Sequence, residues 1–151
     1  MADVAVVQQE VGEVLVSDLG LNGVRESPSG GLACNVEGTD VFVDVFPRGP
    51  EGDAGTVVSI YAPIAAEVAI TPELLGWVVQ QSGIWVFGHV VVQPDADAPE
   101  RCFLTMSHNL LGEMLNRVEL ASVLISVAAS AAELSRQVED RFGGRTTPAA
   151  S

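Results

Sequence analysis

The strongest constraint in this sequence is its last apolar repeat, because a stripe of that length has to be buried against something. Ala121, Leu124, Ile125, Ala128, Ala131, Ala132, Ser135, Val138 and Phe142 recur at 3-4-3 spacing. That pattern is one side of a helix about six turns long. Asn116 followed three residues later by Glu119 is close to a capping box, and Gly143-Gly144 supplies the stop. The surface that covers the stripe must come from the residues upstream, and these read as strands.

In residues 32–37, Leu32, Cys34 and Val36 alternate with smaller or polar residues, and Gly38-Thr39-Asp40 makes a tight turn. Residues 41–46 place Val41, Val43 and Val45 on one face and Phe42, Asp44 and Phe46 on the other. After a loop at 47–55, residues 56–62 are rich in β-branched and aromatic side chains. Short links between successive strands imply an antiparallel meander. Thr71-Pro72-Glu73-Leu74 then starts a helix that ends at Ser82-Gly83. Sheet resumes at 84–93, broken by Gly88, and a loop at 94–100 leads into a strand at 102–107. Ahead of the strands, Val4, Val7, Val11, Val14 and Leu15 define a first helix over 3–18 with Asp3 as its cap, followed by a loop at 20–31. The expected architecture is an α+β two-layer domain, an antiparallel sheet with helices in the order α-β-β-β-α-β-β-α. It spans residues 1–144 as a single domain, with 145–151 a disordered tail.

Composition narrows the function. At 151 residues the chain can bury a real core, and 48% hydrophobic with 18% charged residues is too apolar for disorder. No uninterrupted apolar run approaches the roughly 18 residues of a membrane span. The N-terminus has neither a basic region nor a long apolar stretch, so it does not read as a signal peptide and the expected location is the cytoplasm. Twenty acidic residues face seven basic ones, net −13, and none of the basic residues is Lys. Clustered cations that release counterions are therefore missing, which excludes nucleic acid and an anionic membrane surface as partners. Lys nucleophiles and Schiff bases are excluded too. The acidity serves solubility or attracts a partner segment with basic flanks. Cys34 and Cys102 form no CxxC pair and have no His nearby in sequence, so they read as buried, reduced thiols. A disulfide between them stays open at this level, although a cytoplasmic location argues against it.

Candidate sites point to a partner surface. Leu74, Leu75, Trp77, Val78 and Val79 make the middle helix apolar around most of its circumference, more than one sheet contact can cover. The strand with Val41, Phe42, Val43 and Phe46 is apolar on both faces; the first helix covers it, or it forms a groove for an extended peptide. The last helix carries a further apolar set, Leu120, Val123, Val127 and Leu134, read as intramolecular packing. Catalytic patterns are missing. His89 and His108 lie in or at the end of strands, and Ser107 is in no GxSxG context. Asp95, Asp97 and Glu100 lack the glycine and the later glutamate of an EF-hand. Asp40 and Asp44 share a strand face but stand about 13 Å apart, too far for a working carboxylate pair. No catalytic, cofactor-binding or metal-binding residue is assigned.

Five short motifs, Ala62-Pro63-Ile64, Thr71-Pro72-Glu73-Leu74, Val86-Phe87-Gly88-His89, Ser107-His108-Asn109-Leu110-Leu111-Gly112-Glu113 and Phe142-Gly143-Gly144, carry a family likeness. In their order along nearly the whole chain they resemble the YbjN-type domain of the type III secretion chaperone-like folds, its actinobacterial branch most of all. The resemblance implies a homodimer that binds unfolded or extended peptide, with no catalytic residue to transfer. The expected function is a non-enzymatic, dimeric, chaperone-like module without a cofactor, whose partner is a polypeptide segment. The alternatives are a regulatory self-association domain in signalling and a small hot-dog-type thioesterase. The thioesterase fold wraps its sheet around a long helix placed early in the chain, whereas here the longest helix is last.

Overall fold

Side chains that cap their own backbone set the helix boundaries. In the computed structural model, which describes residues 3–52 and 54–146, Asp3 accepts from Ala5 N (3.0 Å) and opens helix α1, Val4–Glu13. The chain continues through a wider π-type turn at Val14–Asp18. Thr71 accepts from Leu74 N to start α2, Pro72–Gln81, and Asn116 accepts from Glu119 N to start α3, Arg117–Phe142. Each cap supplies an acceptor to an amide that has no partner inside the helix.

The strands are β1 (Arg25–Glu26), β2 (Leu32–Val36), β3 (Thr39–Pro47), β4 (Thr56–Ala69), β5 (His89–Pro94) and β6 (Arg101–Leu111). They form one antiparallel sheet in the order β1-β2-β3-β4-β6-β5. The expected α+β architecture holds, with one short strand more than the sequence suggests. Helix α3 lies across β2, β3, β4 and β6, and α1 packs on β3 beside it. Under them Val41, Val43, Val58, Ile60, Ala62, Leu104 and Met106 meet Val7, Val11, Leu124, Val127, Ala131 and Leu134 in one buried cluster. Helix α2 joins the same cluster through Leu74 and Trp77, whose ring stands edge-on to Phe142 at 5.6 Å. Arg117 ties the first helical segment to the last, bonding Asp18 at 2.9 Å and Glu13 at 3.2 Å.

Four boundaries differ from the sequence expectation, each for a local reason. The β2–β3 turn is Glu37-Gly38, both with positive φ (50° and 89°), so pairing resumes at Thr39 rather than after Asp40. Two left-handed residues are what a tight two-residue hairpin requires. Strand β4 runs on past Ala62 to Ala69, through Pro63 and Glu67, which propensity counts against strand. It does so by shifting register twice, between Pro63 and Ala65 and again before Val68. The Ser135 hydroxyl of α3 donates to the Ile64 carbonyl in that stretch, at 2.6 Å. Residues 84–88 pair with nothing, and β5 begins only at His89. Strand β6 extends past Ser107 to Leu111.

Past α3 the chain doubles back. Gly143 and Gly144 have φ of 69° and 80°, and Arg145 then pairs with Ala66, each amide donating to the other's carbonyl at 2.8 Å. Arg145, assigned by sequence to the loose tail, is thus the last residue joined to the sheet; tail residues 147–151 lie outside the described residues. A Cβ on Gly144 would sit 2.7 Å from Val68 Cγ2 and 2.9 Å from the Ala66 carbonyl oxygen. Gly76, within α2, has no heavy atom within 4 Å of such a Cβ.

These two glycines give opposite expectations. Gly144→Ala should lower stability by about 1–3 kcal/mol, through strain and the lost bridge. Gly76→Ala should raise it by about 0.5–1 kcal/mol, as for an exposed helix interior. Urea midpoints read both, and equal shifts for the two variants would contradict the assignment.

Candidate functional site

Residues directly opposite one another on paired strands point to the same side of the sheet. Val43 pairs with Ile60, and Ile60 with His108, and this side lies under the helices. The alternate rows point the other way. One runs across all six strands: Arg25, Ala33, Phe42, Tyr61, Ser107 and His89 are register partners in turn. Beside it lie Pro63, Thr105 and Val91 in one direction and Asp44, Ser59 and Asn109 in the other, with Phe46, Val57 and Leu111 beyond. Phe103, paired with Gln93, closes the far end.

Among the described residues no helix covers this second face. Along β4 the inward residues Val58, Ile60 and Ala62 have no exposure, whereas Val57, Ser59, Tyr61 and Pro63 between them are only half-buried. Apart from Ala33, whose partners are Arg25 and Phe42, none of the side chains in these rows is buried. Phe42 and Tyr61 stack face to face, centroids 5.3 Å apart and planes 18° apart. Phe46, Val91, Phe103 and Leu111 are exposed around them. Beside the stacked rings Tyr61 OH donates to Asp44 (3.0 Å) and Ser29 donates to that carboxylate's other oxygen (2.8 Å), and toward the β2–β3 turn Asn35 donates to Asp40 (3.2 Å). Burial, reinforced by the Asp44 carboxylate, raises the Tyr61 pKa and keeps the phenol a donor. The result is a sheet face of mixed character, with an aromatic and aliphatic patch around Phe42 and Tyr61 among polar residues, and two open edges, β1 and β5.

The eight residues that sequence assigns to a partner surface divide evenly. Val41, Val43, Leu74 and Trp77 are enclosed within this single chain, at 2% exposure or less, and cannot meet a partner without unfolding. They are core because β3 alternates and because α2 turns Leu74 and Trp77 toward α3. Phe42, Phe46 and Leu75 face outward, and Val78 is half-buried at the edge of the core. Phe42 and Phe46 belong to the uncovered sheet face; Leu75 joins Val79 on the outer side of α2. Tyr61, Val91, Phe103 and Leu111 complete the sheet face and went unrecognised in sequence. Alternation in residues 56–62 signals Tyr61, but only the register of β4 with β6 brings in the rest.

The remaining features are structural. Cys34 and Cys102 are free and buried, and burial pushes the Cys34 thiol up to about 11 and raises Cys102 as well. Strands β2 and β6 are three spacings apart, roughly 14 Å, well beyond the about 7 Å that a disulfide spans. Asp95 Oδ1 accepts from Asp97 N and so orders its own loop. Asp40 accepts from Asn35 and Asp44 from Ser29 and Tyr61, so neither is set up as an acid or base. Among the described residues no group of three His, Cys, Asp or Glu could hold a metal ion. Gly112 leaves no room for a side chain, since a Cβ would meet Thr56 Oγ1, and Glu113 accepts from Thr56 N at 2.6 Å. By length and composition α3 could cross a membrane, with a mean hydropathy of 1.5, but its apolar stripe is the helical half of the core.

A family model described as TY-Chap1, T3SS (YopN, CesT) and YbjN peptide-binding chaperone 1, matches residues 5–150. No curated protein matches the chain.

His108 gives a check on the buried side of the sheet. Its Nδ1 accepts from Gly88 N (3.0 Å), and its ring stands edge-on to Phe87 at 5.5 Å. Burial, then the nearby His89, lowers its pKa below the ordinary 6.5, with Glu119 opposing. The unfolded chain therefore takes up this proton first as pH falls. The stability His108 contributes is fully present above about pH 6.5 and is lost below it. In thermal melts between pH 7.5 and 5.5, the advantage of the native protein over His108→Gln should shrink as pH falls. A constant difference would show that His108 titrates as in a free chain.

Proposed function

This chain belongs to the T3SS and YbjN peptide-binding chaperone family, and from that premise we propose that it is a non-enzymatic homodimer that holds an extended polypeptide on its uncovered sheet face. The observation that carries the reading is the one-sidedness of the sheet: helices cover one face, while stacked and exposed aromatic residues occupy the other. A client that removes about 300 Å² of apolar surface there contributes roughly 7–8 kcal/mol before costs. Much of that is offset by the client's lost freedom, so binding is weak and reversible, which suits holding rather than sequestering. Phe42 and Phe46 belong to this surface, and the half-polar stripe at Asp44, Ser59 and Asn109 accommodates the client's own polar groups.

Dimerisation is assigned to the outer side of α2, where Leu75 and Val79 (72% exposed) stand one turn apart, beside Val78. The same face supports a second reading, a regulatory domain whose work is self-association. The net charge of −13 steers clients with basic flanks, an effect that weakens as salt rises. Two free thiols suit a reducing cytoplasm, and residues 1–144 act as a single domain.

Two measurements test the reading. Light scattering on the eluting protein should give a dimer, and Leu75→Asp with Val79→Asp should give a monomer with an unchanged far-UV spectrum; a monomeric native chain would remove the dimer. The native protein should also slow aggregation of reduced insulin B chain. Phe103→Asp with Val91→Asp should lose most of that protection, whereas Glu73→Gln should keep it. No protection by the native chain, or equal protection by the sheet-face variant, would overturn the proposal.

A further inference from the structure

Strand β5 stops short of its neighbour. Its last pair is His89 with Ser107, whereas β6 runs on beside β4 as far as Leu111. Over residues 108–111, β6 thus has a strand on one side only. No backbone hydrogen bond reaches the other side among the described residues. In an antiparallel ladder alternate residues address opposite neighbours, so two of these four present amide and carbonyl to the gap. The gap is walled: a cavity of about 360 Å³ is lined by all four of residues 108–111 and, across from them, by Met114, Leu115 and Glu119.

The chemistry of the walls is selective. Exposed Leu111 and Met114 (76%) offer apolar contact at the rim. His108 is locked in one tautomer: Nδ1 accepts from Gly88, so the proton sits on Nε2, which makes no hydrogen bond among the described residues. Glu119 is the only formally charged residue of the lining and forms no ion pair among the described residues.

We propose that this notch is an edge subsite that takes a short extended segment of a client as an added strand on β6, with a Lys or Arg of that segment set against Glu119. A strand is the occupant because only a backbone presents donors and acceptors in the alternation that the open edge requires. A basic residue is indicated by the unpaired carboxylate in a chain of net charge −13. Leu111 also lies at the end of the uncovered sheet face, so one client can occupy both. This assignment rests on the polypeptide-holding reading above and adds to it a place and a side-chain preference.

The probe is a fluorescein-labelled hexapeptide of alternating Thr and Val with one central Arg, followed by anisotropy with the full chain. Replacing that Arg by citrulline should weaken binding about two- to fivefold, the worth of one exposed ion pair. Glu119→Gln should abolish the difference, and so should high salt. Methylating alternate backbone nitrogens of the peptide should weaken binding about tenfold, as loss of one or two net hydrogen bonds would. By NMR, the two amides among 108–111 that point away from β4 should gain protection from exchange. Binding without that protection, or unaffected by N-methylation, would overturn the notch while leaving the sheet-face reading intact. No binding at about 1 mM peptide would also overturn it. If the native chain in addition failed to protect insulin B chain, the reading beneath it would fall as well.

Discussion

A β-sheet whose strands carry apolar side chains on both faces needs two covers, and this chain supplies one. The inward rows, from Cys34 through Val43, Ile60 and Met106, are sealed by α1 and α3. The outward rows carry Phe42, Tyr61, Val91 and Phe103, and among the described residues no helix is packed on them. Exposed apolar area of that kind is a standing drive toward association. The client on the sheet follows from it, while exposed Leu75 and Val79 present a similar apolar surface on α2 to a second copy, and the strand at β6 answers an unpaired edge instead.

The short motifs that carry the family likeness turn out to hold the fold in place. Gly144 allows the chain to reverse and pair Arg145 with Ala66, tying the end of α3 to the irregular half of β4. Gly112 makes room for Thr56, and Glu113 satisfies the Thr56 amide at the start of the same strand. Gly88 turns the chain into β5 and hands its amide to His108. These contacts keep β4 straight at one end and bulged at the other while it stays paired with β6 along its length, across two register shifts. Since the outward rows exist only if that pairing holds, the motifs support the surface, and through Pro63, His89, Ser107, Asn109 and Leu111 they also contribute to it.

Local rules in the sequence account for what was legible. Capping residues and 3.6-residue periodicity mark all three helices, and β-branched alternation marks the straight strands. Fold class and the burial of both thiols follow from those patterns. Long-range choices were not legible. Val41 and Phe42 are equally apolar, and only the packing of α3 on β3 decides which points inward. Leu74 and Trp77 look like surface candidates until α2 is seen leaning against Phe142. Pro63, Ala66 and Glu67 argue against strand by propensity, yet double bulging and the Ser135 hydroxyl keep them in β4. The sheet face combines residues from four strands far apart in sequence, a combination that only the register discloses.

The central claim is that a polypeptide client lies on the sheet face away from the helices. Mapping NMR chemical-shift changes over the whole chain, as an unfolded client is titrated in, tests it most directly. The account predicts changes concentrated at Phe42, Tyr61, Val91, Thr105 and Phe103, with the outer side of α3 around Ser122 and Ala129 unmoved. Changes gathered instead on α3 and the neighbouring loop of Ile84 and Val86, with the sheet face silent, would contradict it.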